Sequence, residues 1–455
     1  MSTIVAISTA PGNGGIGIVR MSGERCFEVL EKIFKPINNK VAKGYSIKYG
    51  YIIDKENKNK IIDEVLVSYF VAPKSYTTEN MCEINSHGNN IILKEILECC
   101  IKNGAVLAEA GEFTKRAFIN GRIDLLQAEA VIDVINSKSE KEKIAAINQL
   151  EGGLSQEVKN IKTQILDILT NMEVSIDYPE YEIEEETNEE VLSKLNSIKF
   201  ELNSLENSFE RGKILKDGIK VAIVGRPNAG KSSLLNRILR EDRAIVTDIE
   251  GTTRDTIEEF VNINGLLFKI IDTAGIRESD NEIEKIGIDK SKKALSEADL
   301  VIAIFDKTKE LLEEDYKILS EIKNKNAIIL LNKKDLKEDR IKKEQFKGYS
   351  DNILDVSIKN NDGIEELYNK MTDIFSTNEI QVENTSIITN IRHKEAIKKS
   401  KESICKALEA INTGMTVDII AIYLKDAIEN LNTITGENVT EDIINDIFSK
   451  FCLGK

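Results

Sequence analysis

Gly225-Arg226-Pro227-Asn228-Ala229-Gly230-Lys231-Ser232 follows the apolar run Val221-Ala222-Ile223-Val224 and precedes a helical pattern from Ser233 to Arg240. A strand, a glycine-containing loop and a helix in that order form a phosphate-binding loop. Glycine lets the backbone curl so that successive N–H groups point inward. The helix N-terminus adds positive partial charge at the same point. Asn228, Ala229, Gly230, Lys231, Ser232 and Ser233 are therefore candidate triphosphate contacts. Lys231 can reach the outer phosphates and the Ser232 hydroxyl can hold Mg²⁺.

Residues 217–377 alternate strand and helix, the pattern of a doubly wound α/β domain. Strand-like runs are Lys220–Val224, Thr256–Ile263, Leu266–Ile271, Leu300–Phe305, Ala327–Leu331 and Ile353–Val356. Asn264-Gly265 reads as a tight hairpin turn, so one antiparallel edge strand is expected beside a parallel sheet. Asp272-Thr273-Ala274-Gly275 ends a strand, where the carboxylate can act on Mg²⁺ through water and Gly275 can approach the γ-phosphate. Thr253, in Gly251–Asp255, is the candidate second Mg²⁺ hydroxyl. Asn332-Lys333-Lys334-Asp335 ends the fifth strand. Its Asp335 carboxylate can accept two N–H bonds from guanine, which adenine does not offer in that place. Asn332 and the Lys333 stem would frame the ring. In Ser357-Ile358-Lys359 a backbone N–H can meet the guanine carbonyl.

These motifs, in this order, resemble the translation-factor-like GTPases. Ile276 follows Asp272–Gly275, where Ras-like proteins place a water-orienting Gln, and it has no group to align water. In resembling GTPases with an Asn at the position of Asn228, K⁺ bridges phosphates, Asn and switch carbonyls and supplies positive charge. The other reading of Asn228 is a loop residue tolerant of unusual dihedrals.

The chain has 455 residues, enough for two to four domains with sizeable cores. Its 77 acidic against 62 basic residues give −15, which argues against a general nucleic-acid coating protein. Two histidines and six cysteines without a Cys-x-x-Cys pair make a structural zinc site a poor expectation. The first residues carry no basic leader pattern, and no run approaches 18 apolar residues, so a cytoplasmic protein without a membrane anchor is expected.

Residues 1–120 read as α+β. Short strands at Thr3–Ser8 and Gly17–Met21 flank a turn at Pro11–Gly17, Ser22–Phe34 reads as a helix, and Tyr45–Ile53 and Glu64–Val71 as strands. Asn90–Asn103 reads as an amphipathic helix. From 121 to 212 the apolar spacing is helical, with one continuous run from Ile147 to Met172 and another from Val191 to Phe209. Asp177–Glu180 breaks these helices. Residues 380–455 are helical again, with an N-cap expected at Thr440. The α/β domain is thus inserted into an all-α domain built from both flanks. The last residues, Ile447 to Lys455, stay apolar to Leu453, as if docked.

Several motifs outside the nucleotide site carry a longer resemblance. Ile4-Val5-Ala6-Ile7, Gly14 to Gly23, His87-Gly88, Gly111 to Phe118, Asp124 to Ala130 and the tail Phe451-Cys452-Leu453-Gly454-Lys455 resemble the bacterial tRNA modification GTPase family MnmE, older name TrmE. The resemblance runs from end to end. It implies a multidomain chain: an α+β folate-binding-type domain at 1–120 that forms a homodimer, an all-α helical domain, and an inserted P-loop GTPase domain. It also implies a flavoprotein partner, MnmG, in a heterotetramer, and tRNA as substrate. Together these would place an aminomethyl-type group on C5 of the wobble uridine, coupled to nucleotide-driven pairing of GTPase domains.

By motif, Arg20, Glu83, Arg122 and Lys455 would contact a tetrahydrofolate derivative in its 5-formyl or 5,10-methylene form. Arg122 stands where Lys is common, and the two are not interchangeable. Glu284 matches the family's water-orienting glutamate. Thr247, Ile249 and Thr252 would join Asn228 around K⁺. Thr273, Ala274 and Lys359 fall within the nucleotide motifs already quoted. Cys452 carries two readings, a nucleophile in the modification and a small buried hydrophobe. A different functional class, a regulatory GTPase switch in ribosome assembly, would usually append a basic RNA-binding module, and no such module is evident in this sequence.

Overall fold

The computed structural model describes residues 2–38, 44–177, 187–240, 244–245, 259–271, 295–376 and 387–455. These form two compact units, one of residues 1–132, 149–195 and 402–455, the other of 133–148 and 196–401.

The first unit begins with a seven-stranded sheet. Its strands are β1 (Ile4–Ile7), β2 (Gly14–Ser22), β3 (Phe34–Pro36), β4 (Ser46–Asp54), β5 (Lys60–Phe70), β6 (Met81–Gly88) and β7 (Val106–Leu107), in the order β3-β4-β5-β6-β2-β1-β7. Helices α1 (Cys26–Ile33) and α2 (Asn90–Lys102) cover one face. Val29, Leu30, Leu93 and Ile96 pack there against Val19, Val67 and Ile84. The antiparallel β2–β6 pairing sets Arg20 opposite Glu83. Three expectations are corrected here. β2 starts at Gly14, inside the expected turn, with a bulge before Gly17. Helix α1 starts at Cys26 because Ser22 closes β2 and Gly23 turns at φ 138. Strand β6 lies in a stretch not read as a strand.

Helix α3 (Glu112–Ile119) completes this part, and α4 (Leu125–Asn136) and α5 (Glu140–Leu150) open the helical part. The apolar run from Ile147 to Met172 is two helices, not one. Gly152 turns at φ 95, and α6 (Gly153–Asp177) then buries Leu154, Val158, Ile161, Ile165 and Ile168. Helix α7 (Asn188–Asp217) buries every position of the stripe read from Val191 to Phe209. The Asp177–Glu180 break falls largely outside the described residues.

The second unit holds β8 (Ile219–Val224), α8 (Lys231–Arg240), β9 (Ala244–Ile245), β10 (Glu259–Ile263), β11 (Leu266–Ile271), β12 (Leu300–Asp306), α9 (Glu313–Ile322), β13 (Ala327–Asn332), β14 (Asn352–Val356) and α10 (Ile364–Ser376). The sheet order is β14-β13-β12-β8-β11-β10-β9. Strand β12 is buried along its whole length, as expected for a central parallel strand covered on both faces. Asn264 and Gly265 take φ 50 and 81, the left-handed pair of a tight hairpin. The antiparallel strand β10 is not the edge, because two-residue β9 pairs outside it.

Helices α11 (Ile391–Asn412), α12 (Val417–Thr435) and α13 (Glu441–Ser449) follow. Thr440 is the N-cap of α13, but its side chain makes no capping bond; its carbonyl instead accepts from Ile443 and Ile444.

At one crossing in the second unit the backbone of Ile388 lies against α7. The Ile388 N–H donates to Ser208 Oγ at 3.1 Å, and a Cβ on Gly212 would overlap the Ile388 carbonyl oxygen. Gly212→Ala should therefore lower stability by about 1–3 kcal/mol, as overpacking against backbone does. An unchanged denaturation midpoint would show that the crossing has slack.

Candidate functional site: a cavity at the phosphate loop and a docked tail

The phosphate loop leaves β8 and enters α8. Gly225 and Gly230 take φ 152 and 117, and Asn228 takes φ 63. A Cβ at Gly225 would strike the Ile304 carbonyl, and one at Gly230 would strike the Asn332 amide. Lys231 Nζ donates to the carbonyls of Gly225, at 2.7 Å, and Arg226, at 2.9 Å. Burial pushes this ammonium below the usual lysine value.

Three loops meet here. Asn332 Nδ2 donates to the Ala229 carbonyl at 2.8 Å, and Asn332 Oδ1 accepts from the Ile358 N–H at 3.2 Å. The Ile358 amide is thus held by Asn332. Ser357 Oγ donates to Asp335 Oδ1 at 2.7 Å, the main reason the Asp335 carboxyl lies below the usual range. Asn228, Gly230, Ser233, Asn332, Asp335 and Lys359 are among the residues lining a cavity of about 750 Å³. Lys333 and Ile358 line it too, and Ala229, Lys231, Ser232 and Ser357 adjoin it in the chain. Thr247, Ile249, Thr252, Thr253, Asp272, Thr273, Ala274, Gly275 and Glu284 lie outside the described residues.

Sequence reasoning missed Asp306. It ends β12, is 5% exposed, and accepts from Lys333 Nζ at 2.6 Å and from Thr308 Oγ1 at 2.7 Å. Burial alone would raise its pKa, but the Lys333 and Thr308 hydrogen bonds outweigh that and lower it. A depressed carboxylate contributes stability above its unfolded value, lost as pH falls through the folded one. Lys333 is thereby held at φ 71 with its stem beside the cavity.

In the first unit a second cluster forms. Arg20 Nε and Nη2 donate to Glu83 Oε1 at 2.9 and 2.8 Å. Arg20 Nη1 donates to the Gly454 carbonyl at 3.2 Å, and Ser8 Oγ donates to the same oxygen at 2.9 Å. The Phe113 N–H donates to the Lys455 carbonyl at 3.2 Å. A Cβ on Gly454 would collide with the Ile7 carbonyl. Arg122 stacks on the Tyr76 ring, 4.5 Å from its centroid, and Arg20 lies 5.7 Å from the same centroid. The structure thus brings Arg20, Glu83, Arg122 and the Gly454–Lys455 backbone together. Tyr76, the ring shared by both arginines, carried no signal in the sequence. Phe448 and Phe451 are buried, whereas Cys452 is exposed, which excludes the buried-hydrophobe reading of its thiol.

Comparisons with known proteins find relatives along the whole chain. A family model described as "GTP-binding protein TrmE N-terminus" matches residues 3–122, and one described as "MnmE helical domain" matches residues 125–452. A protein of Acetivibrio thermocellus named tRNA modification GTPase MnmE is 49% identical over 100% of this chain and 99% of its own length. The chain belongs to the MnmE family. MnmE proteins of Clostridioides difficile and Finegoldia magna are 48% and 47% identical, over 100% and 99% of this chain and 99% of each relative.

Ser357→Ala should let the Asp335 pKa rise, because the bond that chiefly lowers it is gone. With Asp335 as the expected guanine acceptor, guanine nucleotide binding should then fail at a higher pH than in the unaltered protein. Binding curves for GDP that coincide at every acidic pH would show that Ser357 does not govern Asp335.

Proposed function

We propose that the chain is a GTP-hydrolysing enzyme of tRNA modification. With an MnmG-type flavoprotein in a heterotetramer, it adds an aminomethyl or carboxymethylaminomethyl group to C5 of the wobble uridine of certain tRNAs. A tetrahydrofolate derivative supplies the one-carbon unit. The observation that carries this reading is the tail docked at Gly454, which leaves the Cys452 thiol exposed on the segment that Arg20 grips.

In this reading Asp335 selects guanine, and Lys231 leaves the Gly225 and Arg226 carbonyls to meet the outer phosphates. Asp272 to Gly275 and Thr253 would serve the γ-phosphate, and Glu284 would orient the attacking water. Ser232 and Thr253 would hold Mg²⁺. Asn228, on the cavity wall, would join Thr247, Ile249 and Thr252 around K⁺. Bound there, the two cations offset charge that builds on the phosphoryl oxygens. Arg20 and Arg122 suit the glutamate tail of a folate, and Glu83 suits the N–H edge of its pterin. Cys452 offers a reachable sulfur for an activated carbon. Residues 1–120 would form the homodimer, and the cytoplasm is the expected compartment. No described helix is long and apolar enough to cross a membrane.

Hydrolysis by the purified chain should be at least tenfold faster in KCl than in NaCl, the size expected when a charge facing the phosphoryl group is lost. Equal rates would remove K⁺ from the account. Titration with 5-formyltetrahydrofolate should saturate, and Glu83→Gln should weaken it about tenfold, as loss of a charged hydrogen-bond acceptor does. A ribosome-assembly switch would show no folate binding in either protein.

A further inference from the structure

We propose that Asp315 and Arg226 form a clamp that sets the phosphate loop for guanine nucleotide and keeps its arginine away from the phosphates. The proposal rests on the GTP reading above. Asp315 lies in the first turn of α9 and is 1% exposed. Its Oδ2 accepts from the Leu312 N–H at 2.9 Å, capping the helix. Its Oδ1 accepts from Arg226 Nε at 2.9 Å. Arg226 Nη2 also donates to the Glu310 carbonyl at 3.3 Å. The planar guanidinium is thus gripped from two sides, a geometry that lysine does not reproduce. A carboxylate this buried is costly to leave without its cation, so the pair holds itself closed.

The direction of the grip matters. Arg226 lines a cavity of about 190 Å³ with Pro227, Asp306 and Asp315. It is not among the residues lining the nucleotide cavity. Meanwhile the Arg226 carbonyl accepts from the Ala229 N–H at 3.3 Å and from Lys231 Nζ at 2.9 Å. Fixing the side chain therefore fixes the carbonyl that stores the phosphate-binding lysine. The loop is prepared before nucleotide arrives, which spares the ordering cost at binding. Arg226 and Asp315 are positioning residues: the arginine of this loop does not supply charge to the transferring phosphoryl group.

The test uses the full chain, a fluorescent GDP and GTP turnover. Arg226→Met and Asp315→Asn should each raise the Kd for the fluorescent GDP and the KM for GTP about tenfold, with kcat changing less than threefold. That split marks lost uniform binding. The double variant should be no weaker than the weaker single, since both remove one interaction. Arg226→Lys should recover part of the affinity, and with Arg226→Met it carries the test should Asp315→Asn not fold. Unchanged Kd in folded Arg226→Met, or fully additive effects, would overturn the clamp. So would a fall in kcat at constant KM, which would put Arg226 on the phosphates. Failure of the unaltered protein to bind the fluorescent GDP would instead defeat the guanine-nucleotide reading itself.

Discussion

The side-chain amide of Asn332 is the joint on which the candidate nucleotide site depends. It is 5% exposed at the end of β13, and its two hydrogen bonds tie the phosphate loop at Ala229 to the loop after β14 at Ile358. Each bond is worth only about 1 kcal/mol net, but a buried amide left half-paired costs more. The amide also explains Gly230, since any side chain there would take its place. Asp335, three residues further on, lines the same cavity and is the proposed guanine acceptor. The spacing between the phosphate loop and the loop after β14 is therefore set by one asparagine, and the ion pair of Lys333 with Asp306 stiffens the turn that carries Asp335.

A comparable economy holds the tail in the first unit. Gly454 passes under the Ile7 carbonyl, and its own carbonyl is shared by Arg20 and Ser8. The main chain is bound while the Cys452 side chain is presented outward. Cys26, Cys82, Cys99 and Cys100 are the opposite case. All four are buried in the sheet core. Burial pushes the Cys99 thiol up to about 11, and burial likewise raises Cys100. Cys82 is raised first by its hydrogen bond with Cys26 and then by burial. Raised in this way, the Cys82, Cys99 and Cys100 thiols do not compete as nucleophiles.

Elements whose signal is local were legible in the sequence. The strand, loop and helix from Ile219 to Arg240 stand where the motif and apolar pattern put them, as does the Asn264-Gly265 hairpin. Strand β6 escaped notice because Cys82 and Ser86, both buried, do not read as an apolar alternation; its pairing with β2 and β5 makes it a strand. The break at Gly152 escaped because apolar spacing runs on across it. Asp306, Asp315 and Tyr76 carry no signal in the sequence, since each acquires its role from partners distant in the chain. The family resemblance named Arg20, Glu83 and Arg122. The backbone clip at Gly454 and the ring shared by both arginines became visible only in three dimensions.

In the proposed function, one chain joins guanine nucleotide hydrolysis to tRNA modification through an exposed tail thiol. Mass spectrometry of tRNA nucleosides from cells lacking the chain tests it most directly. The expected result is loss of a C5-substituted wobble uridine, restored by the intact gene and not by a Cys452→Ser copy that still hydrolyses GTP. An unchanged nucleoside profile in cells with no redundant enzyme would contradict it.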